Sequence, residues 1–196
     1  MIQKETAKER ILRVASQLFY LEGVRAVGID RIIAESGVAK ASFYRNFKTK
    51  DELVGAYLNL RNMDSLSGIE ATKERYPDEP AKQLYGIIER LVSQMREPGF
   101  RGCPFINVLV EFPDSAHENH QEAMQCRVEQ EREVALIARQ AGARSPEVLA
   151  AQLKMLYGGA FIEAYTNKST LNTEYFYEAA KLLIEAQLPA KPSCIE

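Results

Sequence analysis

The sequence predicts an all-α fold of about nine helices, with a small three-helix head at the N-terminus and a larger helical body behind it. Three observations carry this. Apolar residues recur at three- and four-residue spacings along the chain, and no segment shows a convincing strand alternation. Glycine, proline and capping residues interrupt that pattern at helix-length intervals. Near the N-terminus, two short helical segments meet at a tight turn marked by Gly37, a helix-turn-helix pattern. The chain has 196 residues, 46% apolar and 27% charged, which suits a soluble globular protein with a small module and a larger one.

Each element has a local reason. Thr6 and Glu9 have capping-box spacing, and Ile11, Leu12, Ala15, Leu18 and Phe19 then form a helical stripe that ends at Gly23. A second, short helix is expected over about 29–36, with Ile29, Ile32 and Ile33 inward and Gly37 as its stop. A third is expected over about 39–46. Thr49 and Glu52 repeat the capping-box spacing and open a long fourth helix toward Tyr76. After YPDEP, a fifth helix buries Leu84, Ile87, Ile88, Leu91, Val92 and Met95. EPGFRGCP breaks it, and a short apolar helix follows over about 104–111. A long polar helix comes next, over about 116–141. Ser145-Pro146 reads as an N-cap with proline in the first turn, opening a helix over about 146–167. The last helix is expected over about 173–187. These elements divide into a head over 1–52, a body over 53–189 and a flexible tail over 190–196.

Charge is unevenly spread. Residues 1–52 hold 10 Lys+Arg against 7 Asp+Glu, while the remainder holds 15 against 20. A basic head on an acidic body points to an anionic partner for the head alone. Cys103, Cys126 and Cys194 form no CxxC pair or zinc-finger spacing, which argues against a disulfide framework. No apolar run is long enough to span a bilayer, and the N-terminus lacks the apolar core of a signal peptide, so no membrane partner and a cytoplasmic location are expected. Asn167-Lys168-Ser169 matches a glycosylation sequon, which has no meaning without secretion.

The stretch GVAKASFYRNF (37–47) suits insertion of the third helix into a DNA major groove. Ala39 and Ala41 let the backbone come close to the bases. Lys40 can reach a guanine edge or a phosphate, Ser42 and Tyr44 offer hydroxyls, and Arg45 can serve either role. Phe43 and Phe47, four apart, pin so short a helix to the head's core. Lys48 and Lys50 stand near the next helix start, where backbone N–H groups favour phosphate.

These residues carry a specific resemblance. The run GVRAVGIDRIIAESGVAKASFYRNFKTKDELV (23–54) closely resembles the DNA-binding domain of the TetR family of bacterial transcriptional regulators. The matching positions are Phe19, Gly23, Ile33-Ala34, Gly37-Val38, Phe43-Tyr44, Phe47, Lys50 and Asp51-Glu52-Leu53. The resemblance implies a homodimer that binds a palindromic operator, usually as a repressor, and a small-molecule inducer whose binding to the C-terminal domain separates the two DNA-reading heads. It puts Lys40, Ala41, Ser42 and Tyr44 against DNA and Lys50 on phosphate. One departure is visible: Val27-Gly28 stands where many members have a hydroxyl at the start of the second helix. Gly28 caps more weakly and Asp30 repels phosphate, which leaves Arg31 as that helix's one candidate DNA contact.

For the body, the resemblance places a dimer interface on the last two long helices. Gly158 and Gly159, mid-helix, would permit close approach, and Phe176, Ala180, Leu183 and Ile184 give the last helix an apolar face. Ligand-lining candidates are Tyr57, Leu60, Met63, Tyr85, Ile88, Phe105, Leu109, Tyr157 and Phe161, a set that favours a mainly apolar molecule. Cys103, at a helix start and beside Arg101, is both a ligand-site candidate and a candidate sensor of electrophiles or oxidants on the same scaffold. Glu111, at the far end of that short helix, could pair with a ligand or cap toward solvent. His117 and His120, three apart, have the spacing of a helical metal pair, but nothing fixes a third ligand, and no metal or cofactor is expected. An enzyme is not supported, since the chain lacks a nucleophile motif and a phosphate loop and has 2 histidines. A helical interaction module without DNA would leave the Lys40–Lys50 cluster unexplained.

Overall fold

The computed structural model describes residues 5–167 and 172–189. Cys194, the expected flexible tail over 190–196, and Lys168 and Ser169 of the sequon lie outside the described residues. Among the described residues there are nine α-helices and no strand: α1 (Ala7–Glu22), α2 (Ile29–Ser36), α3 (Lys40–Asn46), α4 (Lys50–Arg75), α5 (Pro80–Met95), α6 (Pro104–Glu111), α7 (Glu118–Gln140), α8 (Pro146–Thr166) and α9 (Thr173–Gln187). The all-α expectation holds, and no described helix is long and apolar enough to cross a membrane.

Two compact units make up the chain. The first gathers the described residues up to Met63 together with Pro104–Cys126; the second comprises Asp64–Cys103 and the described residues from Arg127 onward. In the first unit, α1 packs on α2 and α3. Its core holds Ile11, Ala15, Phe19, Ile32, Phe43 and Phe47, all buried. The Thr6–Glu9 capping box forms in full, which ties down two amides that the first turn would leave open. Gly37 ends α2 in the left-handed conformation, φ 64°, where a side chain would be strained. The second box is altered. Thr49 Oγ1 accepts the Glu52 N–H at 3.0 Å, but the Glu52 carboxylate takes the Lys48 N–H at 2.7 Å rather than that of Thr49.

In the second unit, α9 packs on both α5 and α8. Leu84, Ile87 and Ile88 of α5, Leu149, Leu153 and Phe161 of α8, and Phe176, Ala180 and Ile184 of α9 are buried. Ser145 occupies the N-cap position of α8 without a side-chain cap bond; its backbone N–H instead donates to Gln187 Oε1 at 3.1 Å. Asn172 caps α9, accepting the Glu174 N–H at 2.9 Å.

Candidate functional site

The third helix owes its position to two aromatic rings. Phe43 and Phe47 are buried, with ring centroids 6.3 Å apart, and so anchor one side of a seven-residue helix. The other side is open. Lys40, Ala41, Tyr44 and Arg45 are exposed, and Ser42 is half-buried. Tyr44 stands edge-on to Phe43 at 5.4 Å, which steadies its ring, and the side chain is exposed. Asn46 closes the helix by donating from Nδ2 to the Ser42 carbonyl at 2.7 Å. Lys48 is exposed just beyond it. Lys50 is half-buried, and desolvation pulls its pKa below the usual lysine range.

Acidic neighbours hold several of the head's cations. Lys40 Nζ lies 3.2 Å from Asp30 Oδ1, and this bond raises the lysine pKa. Arg31 donates to Glu22 at 2.8 Å and to Glu35 at 2.7 Å, and both bonds raise its pKa. That fork fastens α2 to the end of α1, so Arg31, the one DNA contact expected of α2, is engaged within the head. Arg45 and Lys48 make no ion pair among the described residues.

The turn between α1 and α2 is held from a distant part of the chain. Glu111, the last residue of α6, accepts the Val24 N–H at 2.9 Å and the Arg25 N–H at 2.6 Å. Glu111 therefore caps the head's turn, a role that sequence spacing could not reveal because its partners lie 86 and 87 residues away. Arg25 covers the Phe112 ring at 5.2 Å, and Asn119 Nδ2 donates to Asp51 Oδ1 at 2.6 Å. His120 Nδ1 bonds the Phe112 carbonyl at 2.8 Å, and His117 Nδ1 accepts the Asn119 N–H at 3.2 Å. Both imidazoles are thus engaged locally. No group of three or more His, Cys, Asp or Glu that could hold a metal occurs among the described residues.

The ligand candidates are divided between the units. Tyr57, Leu60, Met63, Phe105 and Leu109 belong to the first. Tyr57 and Phe105 are buried there, Tyr57 edge-on to Phe19 at 5.7 Å, while Met63 is exposed. Tyr85, Ile88, Cys103, Tyr157 and Phe161 belong to the second. Two of these, Cys103 and Tyr157, meet at a residue that sequence periodicity did not single out, Arg127 of α7. Its guanidinium reaches Tyr157 Oη at 3.3 Å and Cys103 Sγ at 3.9 Å. Tyr157 stands edge-on to Phe161 at 5.4 Å, and Phe161 edge-on to Phe100 at 4.9 Å. Burial pushes the Tyr157 phenol well above its usual range. The available signal was register: Arg127 follows Cys126 and lies four residues from Ala123, both buried. An open groove between α4 and α7, lined by Leu66, Glu70, Lys73, Arg132, Glu133 and Leu136 among others, contains none of the sequence's ligand candidates.

On α9 the residues expected at an interface already pack within the chain. Phe176, Ala180 and Ile184 are buried within the chain and Leu183 is half-buried, because that face packs on α5 and α8. Exposed apolar residues on these helices include Tyr175 and Leu182 on α9 and Met155 and Ile162 on α8, each pair seven residues apart and so on one helical face, with Val148 and Tyr165 also exposed on α8. Gly158 is buried. Gly159 lies between Met155 and Ile162, and a Cβ added there would meet nothing within 4 Å.

The profile of bacterial regulatory proteins of the tetR family matches residues 11–57. A solved TetR-family transcriptional regulator from Streptomyces coelicolor, SCO4454, is 32% identical, with TM-score 0.87 over 92% of this chain and 95% of its own. The HTH-type regulator YxaF of Bacillus subtilis is 43% identical over 54 residues, 27% of this chain and 28% of that protein. The HTH-type transcriptional repressor Rv3405c of Mycobacterium tuberculosis is 31% identical over 113 residues, 58% of this chain and 57% of that protein. The chain thus spans from 28% to 57% of the length of these two curated relatives.

Proposed function

We propose an operator-binding repressor mechanism for this chain, which belongs to the TetR family of bacterial transcriptional regulators and is a regulator rather than an enzyme. Residues 1–52 read a palindromic operator in the cytoplasm, and residues 53–189 dimerise and bind the small molecule that releases DNA. The observation that carries this is α3: a short helix anchored by buried Phe43 and Phe47, with Lys40, Ala41, Tyr44 and Arg45 exposed together. Phosphate contacts come from Tyr44, Arg45, Lys48 and Lys50, and base contacts from Lys40, Ala41 and Ser42. Two heads are needed for two half-sites, and the exposed stripe Met155, Gly159 and Ile162 with Tyr175 and Leu182 supplies the partner surface.

The test is a fluorescence-anisotropy titration against DNA upstream of the chain's own gene and against a random duplex, at two salt concentrations. Tight, sequence-preferring binding that weakens steeply with salt is expected. Equal affinity for both duplexes would send the search to genomic fragments; equal affinity for every fragment would refute the reading.

A second reading has one specific observation in its favour. Cys103 is buried with the Arg127 guanidinium beside its sulfur, and a neighbouring cation favours the thiolate. On this reading thiol-reactive compounds release the operator. Cys103→Ser then abolishes that release, and unchanged release in the variant would leave Cys103 as packing.

A further inference from the structure

The second unit contains a cation that makes no ion pair with a carboxylate among the described residues. Arg127 is half-buried on α7, and its polar contacts are the Tyr157 hydroxyl and the Cys103 sulfur. The ring it lies against is again Tyr157, centroid 5.9 Å away. Among the described residues no carboxylate lies within ion-pair distance of it. One turn along α7, Glu131 is the acid best placed to serve Arg127, but it is bound to Lys154 of α8. Lys73 and Lys154, half-buried in the same unit, each hold a carboxylate, Glu133 and Glu131. A charge withdrawn from water is costly unless an opposite charge meets it. Arg127 bears that cost without a carboxylate, and beside it begins the aromatic wall of Tyr157, Phe161 and Phe100.

We infer that Arg127 is the anion anchor of the effector site, and that the effector is a small amphipathic carboxylate. The planar guanidinium takes the two carboxylate oxygens, the Tyr157 hydroxyl donates a further bond, and the apolar part of the molecule lies on Phe161 and Phe100. Burial keeps the Tyr157 phenol protonated, and on ligand binding its hydrogen bond with Cys103 is exchanged for one to the carboxylate. The inference rests on the reading that a ligand of residues 53–189 releases DNA, and it narrows that ligand from mainly apolar to acidic.

The experiment compares acids with neutral amides of the same shape. Benzoate, benzamide, octanoate and octanamide are titrated into the full chain by calorimetry and by thermal shift. One acid is expected to bind roughly 10- to 100-fold more tightly than its amide, the range for a hydrogen-bonded charge. Arg127→Gln is expected to remove that advantage, so that acid and amide bind alike; Arg127→Lys, which keeps the charge but not the fork, falls between. Should Arg127→Gln lose its cooperative melt, the acid–amide contrast in the unaltered chain and the lysine variant carry the test. Equal affinity for acid and amide, wild-type acid binding by Arg127→Gln, or no binding of either class up to about 10 mM, where even a weak complex registers, overturns the anchor. The same acids are then added to the protein–operator complex. Arg127-dependent binding without DNA release would keep the anchor and refute ligand-controlled repression, so the two claims fail separately.

Discussion

Removing the Glu111 carboxylate tests whether α6 holds the DNA-reading head in shape. The carboxylate accepts two backbone N–H groups, from Val24 at 2.9 Å and Arg25 at 2.6 Å. Val24 itself is buried, so its amide has little access to a replacement water. A hydrogen bond to a charged acceptor contributes about 1.5–3 kcal/mol when shielded, and the exposed Arg25 bond nearer 0.5–1 kcal/mol. Glu111→Ala should therefore cost about 2–4 kcal/mol, and Glu111→Gln, which keeps one acceptor oxygen, roughly half. Gly23 supplies an internal check. Its φ is 93°, and a Cβ there would come within 3.1 Å of Glu111 Oε1, so Gly23→Ala strains the turn and displaces the carboxylate. The two alterations attack one contact, so the double variant should be less destabilised than the sum of the singles. Urea denaturation measures the stability, and amide exchange at Val24 and Arg25 measures the turn. A local loss of about 2 kcal/mol would speed Val24 exchange roughly 30-fold. Operator affinity should fall as well, because the turn leads directly into α2. An unchanged denaturation midpoint with unchanged Val24 exchange would refute the reasoning.

Three further outcomes follow from the same structure. Phe43→Ala should cost about 3–5 kcal/mol in chemical denaturation, since the ring is fully buried, and should abolish DNA binding through loss of the helix rather than of a contact. Tyr44→Ala and Lys48→Ala should weaken binding to all duplexes, the latter lowering the salt slope by about one, whereas Lys40→Ala should also relax sequence preference; a Lys40→Ala protein with unaltered affinity and preference would remove that residue from base reading. Leu182→Glu and Met155→Glu place a charge on residues 65% and 67% exposed in the single chain, so each should leave the fold intact and yield monomers by analytical ultracentrifugation.

The head was legible because its rules are local. A hydroxyl and a carboxylate three residues apart form the box at Thr6, and a glycine past the last periodic residue ends α2 at Gly37. Glu52 shows where such rules stop: the spacing was right, but the carboxylate took the Lys48 amide because the chain enters α4 from an extended Phe47. Periodicity also reveals that a face is apolar without saying what covers it. On α9 the regular stripe through Phe176, Ala180 and Ile184 is buried within the unit that α5 and α8 share, and the less regular face through Tyr175 and Leu182 is the exposed one. Arg127 lay beyond sequence reading for a related reason. A cation beside a buried register is unremarkable until Glu131, its natural intrahelical partner, is seen to be bound to Lys154.

The charge arrangement of the head bears on how it would discriminate among DNA sequences. An exposed pair such as Lys40–Asp30 contributes little to stability, so its meaning lies in what DNA must displace. A phosphate approaching Lys40 would exchange one anionic partner for another, whereas a base edge would replace the Asp30 carboxylate with a neutral acceptor. A phosphate approaching Lys48 or Arg45, which have no ion pair among the described residues, releases counterions instead. On the proposed reading, non-specific attraction would therefore fall mainly on Arg45 and Lys48, at the C-terminal end of α3 and just beyond it, with Lys50 already in the field of Glu111 and Asp51. Lys40, at the N-terminal end of α3, adds net binding only where a base edge returns more than Asp30 gave up. On the proposed reading, Asp30 would thus raise the threshold for Lys40 on every sequence, and a guanine presenting both of its major-groove acceptors is the kind of site that would clear it.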